Sequence, residues 1–210
     1  MTDLPTLITV FTTLFILIDP PGLAPLFVAL TQGMSAGQRR KIGLRACVIA
    51  GVLMLVFLFL GEAVLNFVGI SMPAFRIAGG ILLFLTALEM LFQRRQSRRK
   101  SNAETGGAEH HDDPSVFPLA LPLIVGPGAI TTIILFAGQA EGASDIAALA
   151  GVLAVLLLIV FLSFLAAPAI ERLLGETGLN ILTRLLGMLL AALAIQFVLD
   201  GIRQSFGLGG

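Results

Sequence analysis

The chain of 210 residues contains no tryptophan, no tyrosine, one cysteine and two histidines, and only 12% of it is charged. Without Trp or Tyr the usual aromatic belt at a membrane surface is missing, so positioning in a bilayer falls to the 15 Phe residues and to Arg and Lys. The lone Cys47 lies inside an apolar run, which excludes a disulfide framework and a cysteine-based metal cluster. Both histidines, His110 and His111, fall in one polar stretch, which removes histidine catalysis or a histidine proton relay from the apolar segments. Thirteen basic and thirteen acidic residues balance to a net charge of zero, so the electrostatic footprint of nucleic-acid binding is absent. No Gly-x-Ser-x-Gly elbow, phosphate loop or His-Glu-x-x-His motif occurs, which argues against an enzyme and against a nucleotide-driven pump.

What the chain has instead is apolar length. Hydrophobic residues make up 57% of it and the mean hydropathy is +0.98, values of a membrane protein. A helical crossing needs about 20 apolar residues for roughly 30 Å of hydrocarbon. Six stretches qualify: 5–30, 42–68, 75–92, 116–138, 146–170 and 179–202. The N-terminus has neither the basic flank nor the small-residue cleavage site of a secretory signal, so the first stretch reads as retained. The polar, charge-clustered residues 93–114 read as a disordered linker between two blocks, 1–92 and 115–210. The run His110-His111-Asp112-Asp113 within it reads as solvated or as a weak adventitious metal tract, and no resident metal or cofactor is expected.

The blocks resemble each other. Pro21-Gly22 aligns with Pro127-Gly128 at a shift of about 106 residues, and Arg76-Ile-Ala-Gly79 aligns with Arg184-Leu-Leu-Gly187 at about 108. Three crossings per block would place the copies in opposite orientations, the inverted-repeat plan of many secondary transporters. The expected fold is therefore all-α and polytopic, with six transmembrane helices in two inverted three-helix repeats. Arg39, Arg40, Lys41, the basic residues between 94 and 100, and Arg172 fall on one side. That side is the cytoplasmic one, which puts the 93–114 loop inside and both termini outside.

Two stretches carry the functional expectation. Asp19-Pro20-Pro21-Gly22 and Gly126-Pro127-Gly128 both interrupt the middle of an apolar crossing. Each proline removes an amide donor and pushes the preceding residue out of helical angles, which predicts Asp19 and Pro20 extended and a helix resuming with Pro21 at its first position. Broken backbone at that depth persists only when buried in protein or lining a wet cavity. The restarted half-helices would aim free amides at that cavity: Gly22, Leu23 and Ala24 in one block, Gly128, Ala129 and Ile130 in the other, with the Thr131 and Thr132 hydroxyls nearby. Asp19 has Val125 as its counterpart, so the site is electrostatically lopsided, as a zwitterion requires. The structural alternative is that Pro and Gly merely kink the helices and that Asp19 caps the second one through the amide of Gly22 or Leu23.

The remaining intramembrane charges read as structural. Arg76 and Arg184 open their segments near opposite faces and snorkel, or else gate two symmetric entrances. Glu62 is placed to pair with Arg76. Glu89, Arg45 and Asp200 read as solvated segment ends. Small residues at helical spacing, Gly43, Cys47 and Gly51 or Gly187 and Ala191, read as close helix packing.

The stretches Asp19-Pro-Pro-Gly22-x-x-Pro25 and Pro122-Leu-x-x-Gly-Pro-Gly-Ala-Ile130, the Arg76-x-x-Gly-Gly80 start and the six-segment layout resemble the MarC family of integral membrane proteins over essentially the whole chain. The resemblance implies a bacterial inner-membrane protein grouped with small neutral amino acid transporters, typified by an archaeal glycine and alanine carrier. The function expected is secondary transport of small zwitterionic solutes by alternating access, with Asp19 holding the ammonium group or a coupling H+ or Na+. The partners are the solute and membrane lipid, with a homo-oligomer left open. The competing readings are a non-transporting scaffold that recruits a partner through the basic linker, and a passive pore.

Overall fold

The computed structural model describes residues 4–92 and 113–207. The linker 93–112, with the expected basic cluster and the histidine tract up to Asp112, lies outside the described residues. Among them every element is helical: α1 (Leu4–Ile18), α2 (Pro20–Leu30), α3 (Ala36–Val68), α4 (Met72–Leu91), α5 (Ser115–Ile124), α6 (Pro127–Ala137), α7 (Ala143–Leu165) and α8 (Ala167–Ser205). Five spans are long and apolar enough to cross a membrane, α1 and α2 counting together as one, and α5 with α6 makes a sixth that is bent by 60°.

The helix ends depart from the hydropathy reading where local chemistry intervenes. The helix α3 begins six residues before the expected position 42, because Ser35 forms a capping box with Gln38: the Ser35 hydroxyl accepts from the Gln38 amide, and the Ser35 amide donates to the Gln38 side chain. Arg39, Arg40 and Lys41, expected in a loop, are therefore helical. Between α7 and α8 the chain turns at Ala166, and the expected loop 171–178 is helical apart from a break at Gly175, after which the crossing runs from Thr177, close to the expected 179. Pro168 at the start of α8 cannot continue the preceding helix but fits a helical first turn. Inside α8 the chain breaks at Gly175, whose φ of 60 and ψ of −179 form a conformation essentially restricted to glycine.

The first half of the fourth crossing is no ordinary helix. Pro118 and Pro122 drive Phe117 (φ −125, ψ 125) and Leu121 (φ −125, ψ 129) into extended conformations. The bonds that remain reach back five residues, from Leu119 to the Pro114 carbonyl and from Val125 to that of Ala120, giving a wide π-type coil.

Packing follows the small residues. A Cβ added at Gly201 would lie 3.0 Å from the Pro73 oxygen, one at Gly80 2.8 Å from the Ala194 oxygen, and one at Gly187 3.2 Å from the Ala87 oxygen. The three levels are seven residues apart on each helix, so α4 and α8 run antiparallel in near-backbone contact. On α3, Gly43 faces Phe164 and Gly51 faces Leu157, which makes the α3–α7 pair antiparallel as well. Around these pairs α2 packs on α7 and α8, α6 on α3 and α4, α1 on α7, and α5 on α3. The two broken spans lie inside: 67% of the apolar window of α1–α2 is buried, against 28% for α3 and α7, and α6 is buried along nearly its whole length.

Candidate functional site

Asp19 is the single residue between α1 and α2, and it is 1% exposed. Its backbone is left-handed (φ 55, ψ 64), not extended, and Pro20 rather than Pro21 opens α2. The reason lies in hydrogen bonding. The Asp19 amide still donates to the Phe15 carbonyl at 2.8 Å, and its own carbonyl accepts from Leu23 at 3.0 Å, so one αL residue redirects the chain while both helices keep their bonds. Aspartate tolerates this region better than most side chains. Its carboxylate turns forward, where Oδ1 accepts from the Gly22 amide at 3.1 Å. Only glycine fits at position 22, because a Cβ there would lie 2.6 Å from the Asp19 Cγ.

Two of the expected free donors are thus committed: Gly22 to the Asp19 side chain and Leu23 to the Asp19 carbonyl. Ala24 is buried with them, and Pro21 is half-buried. The expectation of an open amide cradle at α2 is corrected on this ground, and the capping role considered as its alternative is present.

The second break differs. Gly126 is extended (φ −86, ψ 167), Pro127 opens α6, and no side chain caps the helix. The first amide to close back on the chain is that of Ile130, which donates to the Gly126 carbonyl at 3.1 Å. Helix geometry leaves the amides of Gly128 and Ala129 without intrahelical partners, and both residues are buried. Thr131 and Thr132 are buried behind them; the Thr132 hydroxyl donates to the Gly128 carbonyl at 2.8 Å. Thr131 stands against Gly79 of α4.

The two breaks meet through Leu17. A Cβ at Gly128 would lie 3.0 Å from the Leu17 Cδ2 and 3.2 Å from the Leu83 Cδ2, so the start of α6 rests on the turn that leads into Asp19. A further polar group comes from α8: the hydroxyl of Thr183, 4% exposed, donates to the Asp19 Oδ2 at a long 3.4 Å. Sequence reasoning passed over Thr183. The signal available was a polar pair, Asn180 and Thr183, spaced i, i+3 on an apolar helix, and the Asn180 Oδ1 is buried without a hydrogen-bond partner.

The charged residues separate. Arg76 is 6% exposed with its Nε buried and without a hydrogen-bond partner, whereas Arg184 is exposed. Glu62 is exposed on α3 and does not meet Arg76; the acid acting electrostatically on that guanidinium is Asp200 of α8. The correction has a simple cause, that α4 packs along α8. Asp200 is half-buried and also accepts from the Gln196 side chain at 2.9 Å.

Comparison with known proteins adds the family. Residues 4–206 match the family model described as MarC family integral membrane protein. The chain is 42% identical over 198 residues to a UPF0056 membrane protein of Archaeoglobus fulgidus, covering 92% of this chain and 91% of that protein. It is 36% identical over 203 residues to UPF0056 membrane protein MJ1677 of Methanocaldococcus jannaschii, covering 96% and 98%. It is 35% identical over 204 residues to UPF0056 membrane protein YhcE of Escherichia coli, covering 97% and 95%. No solved structure matches it.

Proposed function

We propose that this chain, which belongs to the MarC family of integral membrane proteins, is a secondary transporter of small neutral amino acids or similar zwitterionic solutes, working by alternating access around Asp19 and Gly128. The observation that carries the reading is a buried carboxylate, set in a left-handed break of a largely buried span, beside an uncapped helix start. In this mechanism Asp19 takes the ammonium group or a coupling H+ or Na+, and the Gly128 and Ala129 amides take the carboxylate. The Thr131 and Thr183 hydroxyls flank the two charges. A central carboxylate costs about 2.5–3.5 kcal/mol on insertion scales, a cost that a mere helix cap does not require, because Ser or Asn caps as well.

The packing supports an inverted repeat. Exchange of the two blocks maps α2 on α8 onto α6 on α4, α2 on α7 onto α6 on α3, and α1 on α7 onto α5 on α3. The antiparallel α4–α8 and α3–α7 pairs map onto themselves, as a two-fold axis in the membrane plane demands. In this arrangement Leu17 and Leu83 close on Gly128 and occlude the site, and transport requires the blocks to part there. The location proposed is a bacterial inner membrane with both termini outside, and the protein is not an enzyme.

The test is uptake of labelled alanine or glycine into proteoliposomes. Saturable flux that disappears in Asp19→Asn is the expected result. Equal flux from both proteins above empty liposomes removes Asp19 from the mechanism, and flux that never saturates identifies a pore.

A further inference from the structure

We propose that the cleft between the start of α3 and the start of α5 binds the head group of an anionic phospholipid, whose acyl chains lie along the outer face of α3. The cleft has a volume of about 710 Å³, with an apolar lining that includes Ile42, Leu44 and Val48 and a polar rim that includes Lys41, Arg45 and Asp113. Lys41 and Arg45 are exposed and stand one turn apart, so both ammonium and guanidinium reach the same mouth. Directly below them an apolar stripe begins: Leu44 and Val48 are 51% and 55% exposed, and Val52, Leu55 and Phe59 continue it at helical spacing. The 33 residues of α3 extend about 50 Å, well beyond the roughly 30 Å hydrocarbon layer. The basic pair therefore stands at head-group depth while the stripe faces acyl chains. Two cations over a lipid-facing apolar track complement a phosphate carrying fatty chains, and basic clefts of this kind recognise acidic head groups.

Asp113 sets the selectivity. Its carboxylate pairs with Arg45 and also accepts from the Ser115 amide at 3.0 Å. Among the described residues the rim thus holds two positive charges and one negative, enough to favour an anionic lipid and to disfavour one whose head group carries its own cation. A bound phosphate draws Arg45 away from Asp113, so the acid competes with the lipid.

The competition gives the test, made on the purified full chain in detergent by native mass spectrometry. Dioleoyl phosphatidylglycerol should bind at least about tenfold more tightly than dioleoyl phosphatidylcholine. Lys41→Gln and Arg45→Gln should each weaken it about fivefold, while Asp113→Asn should strengthen it by a similar factor. Arg203→Gln, at the far end of α8, should change nothing. If Arg45→Gln and Asp113→Asn move binding in the same direction, the pair only ties α5 to α3 and the proposal fails. Equal binding of the two lipids, or displacement of phosphatidylglycerol by inorganic phosphate at equal concentration, also overturns it.

Discussion

Replacing Asp19 with glycine and with alanine separates its backbone from its carboxylate. Both variants lose the bond to Gly22 and the contact with Thr183, so those losses cancel in the comparison. They differ in two respects. At φ 55 glycine sits without strain, whereas alanine carries a left-handed penalty of about 1 kcal/mol. At a helix N-cap glycine costs only a few tenths of a kcal/mol relative to a good cap, and alanine about 1. Asp19→Ala should therefore be less stable than Asp19→Gly by about 1–2 kcal/mol, or about 5 °C in melting temperature for a chain of this size. Asp19→Asn keeps an acceptor for Gly22 and tolerates the same φ, so it should melt within about 1 kcal/mol of the wild type. Flux follows a different order, with all three variants inactive because all three lack the charge. Thermal unfolding in detergent and uptake by proteoliposomes of the same preparations read the two orders independently. An Asp19→Ala protein as stable as Asp19→Gly would refute the left-handed backbone. An Asp19→Gly protein that transports normally would reduce Asp19 to a cap.

Thr183→Val deletes only the hydroxyl facing Asp19, so stability should change by less than about 1.5 kcal/mol while uptake falls about tenfold; wild-type uptake would take Thr183 out of the site. Gly80→Leu forces a side chain into the Ala194 backbone and should cost about 1–3 kcal/mol, whereas Gly151→Leu, with nothing within 4 Å, should be near neutral; denaturation of both checks the α4–α8 contact. Burial pushes the Asp113 carboxyl up, but hydrogen bonding from Ser115 and the charge of Arg45 outweigh this and hold it below its ordinary 3.8. A depressed acid stabilises fully above its unfolded value and loses that contribution as pH falls through the folded one. The Arg45–Asp113 pair should thus be worth a constant amount, at most about 1 kcal/mol, from pH 5 to 8, and vanish only below about 3.8; a wild-type minus Asp113→Asn stability difference that changes between pH 5 and 8 would contradict this.

How far the sequence could be read depends on the range of the interaction that decides each feature. Hydropathy sums over about 19 residues, so it finds α3, α4 and α7 as crossings yet cannot see that a four-residue Ser35–Gln38 box extends α3 or that Pro168 lets α8 start at once. The interruption at Asp19 was legible because proline rules act between neighbours. Its form was not, because an extended and a left-handed residue both satisfy the following proline. The choice fell to two hydrogen bonds, from the Asp19 amide to Phe15 and from Gly22 to Asp19. The same neighbour rule holds at α5, where Pro118 and Pro122 turn Phe117 and Leu121 out of helical angles, here into extended ones. The companions of the buried charges were beyond local reading altogether. Thr183 is 164 positions from Asp19, and Asp200, not Glu62, faces Arg76, because seven-residue small-residue spacing clamps α4 onto α8. That spacing was itself in the sequence, at Pro73, Gly80 and Ala87 against Gly187, Ala194 and Gly201. Matched as an antiparallel pair, it places Arg76 opposite residue 198 on α8, within a turn of Asp200, and leaves Glu62 on a helix that packs elsewhere.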